Sequence, residues 1–202
     1  AKNILKETRE NVTDYSIKRF LEQVSFFKNT GKHKGEEDIE ELFVKYQQAM
    51  QRYKRMDFDD MLFLCKKEFL KDEILLNTYR ERYKYILIDE YQDINSIQYE
   101  LMYLLTIHNP DIFVVGDDDQ AIYGFRGSDT ECFQKFVRDY KNTHIIHLNI
   151  NYRCTADIVR ASRNIISKNR QRLEKNIISG VSEQKSNIVV TENETPREMY
   201  QR

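Results

Sequence analysis

The sequence of 202 residues lacks the features that mark several protein classes. Its three cysteines, Cys65, Cys132 and Cys154, are widely spaced and odd in number, which favours reduced core thiols over a disulfide framework or a zinc site. No stretch approaches the roughly 20 apolar residues of a membrane helix. The first four residues, AKNI, lack the apolar core of a secretion signal. We therefore expect a cytoplasmic protein without a membrane partner.

The chain also has almost no net charge. Lysine plus arginine number 32 and aspartate plus glutamate 33, so the formal charge is −1. This balance excludes a histone-like protein that coats nucleic acid by bulk charge, but it leaves room for a local basic groove. The length predicts one large domain or two small ones.

Glycine and proline are scarce, with six and two residues. Three of the six glycines, Gly116, Gly124 and Gly127, fall within twelve residues of each other. Half of the backbone freedom that glycine supplies is therefore concentrated in one loop. This loop is the first indication of a functional site.

Residues 1–83 have the pattern of α-helices and few strand signals. One apolar stripe recurs at a spacing of three to four residues, made by Ile39, Leu42, Phe43, Tyr46, Met50 and Tyr53. Residues 31–35 predict a loop before that helix. Asp57 is a candidate cap for a further helix that carries Met61, Leu62, Cys65 and Phe69.

Short apolar runs then replace the helical pattern. They predict buried parallel strands near 84–89, 111–116 and 143–148, with helices at roughly 96–106, 129–140 and 155–170 and a possible strand at 187–191. Alternation of such strands with helices is typical of an α/β fold with a parallel sheet. The predicted architecture is thus an α/β core preceded by a helical segment.

Two of the predicted strands end in acid. The first is followed by Asp89-Glu90-Tyr-Gln92-Asp93 and the second by Asp117-Asp-Asp-Gln120. Ligands of parallel sheets bind at the carboxyl ends of strands, where one carboxylate can hold Mg²⁺ and another can orient or deprotonate a water. The alternative is that these acids only cap the following helices. Two acidic ends, each followed by glutamine, favour the ligand site.

Further polar and aromatic side chains follow these ends. Gln120 could contact a phosphate oxygen or a water, Tyr123 and Phe125 could stack on bases, and Arg126 could pair with a phosphate. Tyr123 and Phe125 could equally be core aromatics. Arg153, in the tripeptide 151–153, is of the type that reaches a transferring γ-phosphate.

The order and spacing of these segments resemble a known family. Residues 89–93 (DEYQD), 116–127 (GDDDQAIYGFRG) and 151–153 (NYR) look like motifs II, III and IV of superfamily 1 DNA helicases of the UvrD/Rep/PcrA branch. Residues 57–60 (DFDD) are similar to a segment just upstream in that family. The resemblance implies a RecA-like parallel sheet, a partial P-loop NTPase core, with an N-terminal helical segment. It divides the chain into a helical insertion (1–56), the second half of one RecA-like domain (57–148) and the start of the next (149–202).

The resemblance also implies roles in ATP hydrolysis. Asp89 would bind Mg²⁺ and Glu90 would activate the attacking water. Gln92 and Gln120 would sense or contact the γ-phosphate of ATP and couple it to the DNA site.

The same resemblance implies contacts with the base of ATP and with DNA. Tyr152 would pack on the adenine and Arg153 would act as the arginine finger. Tyr123 and Phe125 would stack on single-stranded DNA, with Arg126 on its backbone. The family often has tryptophan where this chain has Phe125, and the smaller ring would stack more weakly.

A cradle for the nucleotide phosphates is missing from the sequence. The pattern G-x-x-x-x-G-K-[ST] needs a glycine five residues before Gly31-Lys32, but that position is Phe26 and the next residue is His33. The chain therefore resembles a middle slice of a longer helicase that acts on single-stranded and duplex DNA. We expect the isolated chain to be inactive as an ATPase.

Two functions of other classes stay open on the sequence. A metal-dependent nuclease could use the acids at 89, 90, 93 and 117–119 to hold two metals, but it leaves Gln120 and Arg153 without a role. A non-catalytic DNA-binding or docking module would explain the missing phosphate cradle. Metal-dependent cleavage of DNA would favour the first, and ATP-independent binding of single strands the second.

Overall fold

The computed structural model describes residues 13–32, 39–108, 111–122, 132–169 and 172–181. The chain divides into two compact units, residues 1–142 and 143–202, and each is described by itself. In the described ranges, no helix combines the length and the apolar character needed to cross a bilayer.

Four helices lie in the described residues of the N-terminal part of the first unit. They are α1 (Asp14–Thr30), α2 (Ile39–Arg52), α3 (Phe58–Lys71) and α4 (Glu73–Arg82). The predicted cap of α3 is confirmed: the Asp57 side chain accepts the backbone N–H of Asp60, and the Asp60 side chain accepts that of Asp57. Helix α1 ends at Gly31, whose φ of 67° suits a residue without a Cβ.

A two-stranded parallel sheet follows these helices. Strand β1 (Ile86–Ile88) pairs with β2 (Ile112–Val114), with Ile86 opposite Ile112, which confirms both predicted positions and the parallel direction. Helix α5 (Ser96–Thr106) connects the strands over the predicted range, and α6 (Cys132–Asp139) falls within the predicted helix 129–140, of which 129–131 lie outside the described residues.

Among the described residues, one hydrophobic cluster packs on the sheet, and it covers one face. Buried, mostly aromatic side chains from the first strand end, from α5 and from α6 with the residue after it form one cluster. Its members are Tyr91, Tyr99, Met102, Cys132, Phe136 and Tyr140, and Ile88, Ile112 and Val114 pack against it. On the opposite face Leu87 is 74% and Phe113 56% exposed. The prediction that these strands are buried is therefore wrong for this chain, because the described residues cover only one face of the sheet.

The second unit contains a smaller parallel pair. Strand β3 (Ile150–Asn151) pairs with β4 (Ile178–Ser179), and α7 (Ala156–Ile166) follows β3 inside the predicted helix 155–170. The predicted strand at 143–148 is wrong: its apolar residues are exposed, and ladder hydrogen bonds begin only at the Asn149 carbonyl, which accepts the Ile178 N–H. An apolar run becomes a strand only where a neighbouring strand supplies partners. The possible strand at 187–191 lies outside the described residues.

Candidate nucleotide site at the strand ends

The acidic segment after β1 folds back on itself. Glu90 has a left-handed backbone (φ 50°), its N–H donates to Asp89 Oδ1 over 2.9 Å, and a single 3₁₀ turn follows at Tyr91–Asp93. The Tyr91 N–H donates to the Val115 carbonyl, so the segment is tied to the end of β2. Non-glycine residues with positive φ are uncommon and concentrate at functional sites.

A continuous chain of hydrogen bonds joins the two acidic strand ends. The Gln92 Nε2 donates to Glu90 Oε2 over 2.7 Å, and the Asp117 backbone N–H donates to Gln92 Oε1 over 3.0 Å. The Gln120 Nε2 then donates to Asp117 Oδ2 over 2.8 Å. We call this Glu90–Gln92–Asp117–Gln120 series the strand-end chain. It places three of the predicted site residues in one network.

Gln92 is the buried middle of that chain. It is 3% exposed, and both ends of its amide are engaged. It therefore links Glu90 to the second strand end and does not itself face solvent, whereas Gln120 and Glu90 are exposed.

Gly116 allows the two strand ends to approach this closely. A Cβ at this position would lie 2.5 Å from Gln92 Oε1 and 3.0 Å from the Tyr91 backbone nitrogen. It would also lie 2.9 Å from Cζ of Phe133 in the core. Glycine is thus required here by space.

The alternative prediction is that the acidic residues at the strand ends only cap the following helices. It is wrong for the acids after β1 and correct for Asp117, after β2. Helix α5 is capped by Asn95, whose side chain accepts the Gln98 N–H in a capping box. Asp117 does cap the 3₁₀ turn at Asp118–Gln120, where its Oδ1 accepts the Asp119 N–H. Asp89 and Glu90 are therefore not used as helix caps.

The carboxylates of Asp89 and Glu90 are exposed, and neither forms an ion pair with a described residue. Carboxylate oxygens are the donors that Mg²⁺ prefers. Among the residues that the structure describes, no group of three or more histidine, cysteine, aspartate or glutamate side chains is placed so that it could hold a metal ion. The site thus offers individual oxygen ligands of the type that a cation shared with a phosphate would use.

In the second unit, Tyr152 and Arg153 directly follow β3. Asn151 Oδ1 accepts the backbone N–H groups of Arg153 (2.9 Å) and Cys154 (2.8 Å), and this turn leaves both predicted side chains exposed. They lie at the carboxyl end of a parallel strand, as Asp89 does in the first unit. The predicted DNA-contact residues Tyr123, Phe125 and Arg126 lie outside the described residues.

Sequence reasoning missed the central position of Asp117. It grouped Asp117 with its neighbours as one of several acids, whereas the structure uses its N–H and both carboxylate oxygens in the strand-end chain and the turn cap. The spacing Asp117-x-x-Gln120 was the available signal, because a 3₁₀ turn places side chains three residues apart on the same side.

Comparisons with known proteins agree with the sequence and geometry. The family model described as the UvrD/REP helicase N-terminal domain matches residues 2–141. The DNA helicase II of Escherichia coli (strain K12) is 38% identical over 142 residues, which cover 70% of this chain and 20% of that protein. The PcrA ATP-dependent DNA helicase of Leuconostoc citreum is 36% identical over 142 residues, 70% of this chain and 19% of that protein.

A third relative covers more of the chain. The Bacillus subtilis (strain 168) protein YjcD, which has a provisional name as an ATP-dependent DNA helicase, is 35% identical over 184 residues, 87% of this chain and 24% of that protein. The matched part of the chain thus spans 19–24% of the length of these relatives.

Proposed function

We propose, on the premise that this chain belongs to the family of the UvrD/REP helicase N-terminal domain, that it is part of an ATP-dependent DNA helicase. The complete protein would couple ATP hydrolysis to movement on single-stranded DNA and to unwinding of duplexes, in the cytoplasm. The relatives that are named as DNA helicases support this proposal, as does the position of the acidic residues at the carboxyl ends of parallel strands.

The strand-end chain is the observation that carries the proposal. A helicase needs a physical connection between the water-activating group and the groups that respond to the γ-phosphate and to DNA. Here Glu90 is connected to Gln120 through Gln92 and Asp117. Residue 123, where the predicted DNA contacts begin, lies three residues beyond Gln120.

The donor set at β1 fits a magnesium nucleotide. Asp89 would hold the Mg²⁺, which when bound shields the charge of the phosphates and polarises them. Glu90 would accept the proton of the attacking water, and Gln92, which donates to Glu90 Oε2, would hold that carboxylate in place. Both carboxylates are exposed, as a site for a soluble nucleotide requires.

Other residues would recognise the remaining parts of ATP. The exposed amide of Gln120 would contact the γ-phosphate, and Gln92 would transmit its position to Glu90. Tyr152 would pack on the adenine, and Arg153 would stabilise charge on the transferring phosphoryl group. Their exposure at the end of β3 supports this assignment.

The DNA site of the proposal rests on the sequence. Tyr123 and Phe125 would stack on bases and Arg126 would contact the backbone. Base–aromatic stacking contributes about 1–3 kcal/mol per base. Because these residues lie three to six positions after Gln120, a change at the γ-phosphate would reach them through a short stretch of chain.

The open sheet supports the finer proposal of a RecA-like core. Parallel sheets are normally covered on both faces, whereas Leu87 and Phe113 expose one face of β1 and β2. Further strands and helices of a longer protein, including the phosphate cradle, would cover it. The proposed division stays that of the sequence: a helical insertion to residue 56, part of a first RecA-like domain to 148 and the start of a second.

The decisive experiment replaces Glu90 by glutamine in the complete helicase that contains this chain. ATP turnover, with and without single-stranded DNA, should fall by at least about 10²-fold, because the amide keeps the shape but cannot accept a proton. Binding of ATP should survive. The matched control is Glu81→Gln, the same change at an exposed position of α4, which should leave turnover unchanged.

Each of the other outcomes would correct a different part of the proposal. A fully active Glu90→Gln enzyme would remove Glu90 from its role. DNA-stimulated turnover by the isolated 202-residue chain would show that a phosphate cradle has been missed. Magnesium-dependent cleavage of DNA without ATP would support a nuclease, and ATP-independent binding of single strands without turnover would support a docking module.

A further inference from the structure

A buried ionic cluster lies between the N-terminal helices and includes none of the residues of the strand-end chain. Lys28 is 2% exposed, and its Nζ lies 2.6 Å from Asp57 Oδ2 and 2.7 Å from Asp60 Oδ1. The Tyr46 hydroxyl also donates to Asp57, and the Gln47 amide to Asp60. Helices α1, α2 and α3 therefore meet at one neutralising cation.

The neighbouring residue, Asn29, extends this cluster by a series of amide contacts. Its Nδ2 donates to Asp59 Oδ1 over 2.8 Å and to the Ser25 carbonyl over 2.8 Å. Its Oδ1 accepts from Asn95 Nδ2, also over 2.8 Å, from a residue 66 positions away in the chain. We call Asp59–Asn29–Asn95 the amide chain.

The amide chain has a defined polarity. If the Asn29 amide were flipped, its oxygen would face the Asp59 carboxylate and the Ser25 carbonyl, which are both acceptors. The Asn29 oxygen therefore points to Asn95, and Asn95 must present a donor. Aspartate at position 95 could cap α5 equally well but could not make this bond.

The amide chain ends at Asn95, which closes the segment that begins with Asp89 after β1. Asn95 caps α5 through its Oδ1 while its Nδ2 reaches Asn29. The segment from Asp89 to Asn95 is thus held at its front by the ends of β2 and at its back by α1.

We propose that Asn29 and Asn95 are positioning residues that hold the Glu90–Asn95 segment against the helical segment through the polarity of the amide chain. Lys28, Asp57 and Asp60 anchor that chain by fixing α1 to the start of α3. The inference rests on the proposed function in one respect, namely that Glu90 activates water.

The substitution Asn95→Asp, made in the complete helicase, separates the cap of α5 from the hydrogen bond to Asn29. The aspartate side chain can still cap α5, but its carboxylate oxygen then faces the Asn29 Oδ1, and both atoms are acceptors. Backbone amide hydrogen exchange at Asp93 and Ile94 should become about tenfold faster while the slowest amides of α5 keep their rates. The kcat for ATP should fall about tenfold with KM unchanged, because positioning of the base is lost and nucleotide binding is not.

A reversal of polarity provides the rescue. In the double variant Asn95→Asp/Asp59→Asn, a flipped Asn29 can donate to the new carboxylate at position 95 and accept from the new amide at position 59. Its oxygen then also faces the Ser25 carbonyl, which is an acceptor, so the rescue is incomplete. Exchange rates and kcat should recover in part, to within about threefold of wild type. Asp59→Asn alone should be close to wild type, because its amide oxygen can accept from Asn29. Asp72→Asn at the cap of α4 is the matched control for an acid–amide exchange at a helix cap.

The outcomes separate the two proposals. Unchanged exchange and kcat in Asn95→Asp would overturn the positioning role, and partial recovery in the double variant would support it. A wild-type complete protein without ATPase activity would overturn the proposed function, whereas the exchange measurements would still decide whether the amide chain holds the segment.

Discussion

Two carboxylate-rich segments of the first unit use the same residue types in opposite ways. In residues 57–60 (DFDD), the two carboxylates of the capping box point inward to Lys28. In residues 89–93 (DEYQD), Asp89 and Glu90 are exposed and receive hydrogen bonds from uncharged groups, namely a backbone N–H and the Gln92 amide. The difference indicates that carboxylates paired with a buried lysine stabilise the fold. Exposed carboxylates with no lysine or arginine partner among the described residues stay available to bind a ligand.

The surroundings of the buried cluster also change its proton affinities. Burial by itself raises the pKa of the Asp60 carboxyl, but hydrogen bonds from Lys28, Gln47 and the Asp57 N–H outweigh it, so the pKa lies below its ordinary value of 3.8. Burial, followed by the hydrogen bond to Asp57, raises the pKa of the Tyr46 phenol above its usual range. The cluster is therefore most stable with Asp60 ionised and Tyr46 neutral.

The strongest way to break this comparison is Lys28→Met. The substitution leaves the buried Asp60 and the partly exposed Asp57 without their cation, and we expect a loss of about 3–5 kcal/mol in the free energy of unfolding. Urea denaturation of both proteins gives the value. The exposed counterpart, Glu90→Gln, should change stability by at most about 0.5 kcal/mol. Equal losses in the two variants would show that the two segments do not differ as described.

A smaller effect is expected when the strand ends are pushed apart. Gly116→Ala places a Cβ against Gln92 Oε1 and the Tyr91 backbone, and overpacking of this kind costs about 1–3 kcal/mol. Thermal and urea unfolding measure the cost. Gly31→Ala is the control, because its Cβ meets open space and only the left-handed backbone is strained, at about 1 kcal/mol. A Gly116→Ala protein as stable as wild type would contradict the close approach.

The smallest expected effect is on the pH dependence of stability. Because the pKa of Asp60 is lower in the folded than in the unfolded chain, its stabilisation is present above the unfolded value and is lost as the pH falls through the folded one. The free energy of unfolding, measured from about pH 6 down to about pH 3, should fall less steeply in Asp60→Asn than in wild type. Identical slopes would remove Asp60 from this role.

Much of the local structure of the first unit was predictable. The cap at Asp57, helix α5 and strands β1 and β2 follow from periodicity and from side chains three residues apart. The burial of Lys28 had a signal that was overlooked, since Phe20, Val24 and Lys28 lie on one face at a spacing of four residues and all three are buried. The apolar run at 143–148 gave a wrong strand prediction. It has the composition of a strand, but no strand among the described residues lies beside it to form hydrogen bonds.

The sequence by itself determined the predicted helices, the positions of β1 and β2, and the acidic strand ends, because each of these depends on residues within a few positions of one another. It also determined the family, through the order of short motifs. Only the tertiary structure decided that Gln92 is buried between two strand ends, that Asp117 is central, and that Asn29 joins α1 to the acidic segment. These contacts link residues 25 and 66 positions apart. No local pattern carries them, because the direction of each hydrogen bond is set by which donors and acceptors the packed helices and strands bring together.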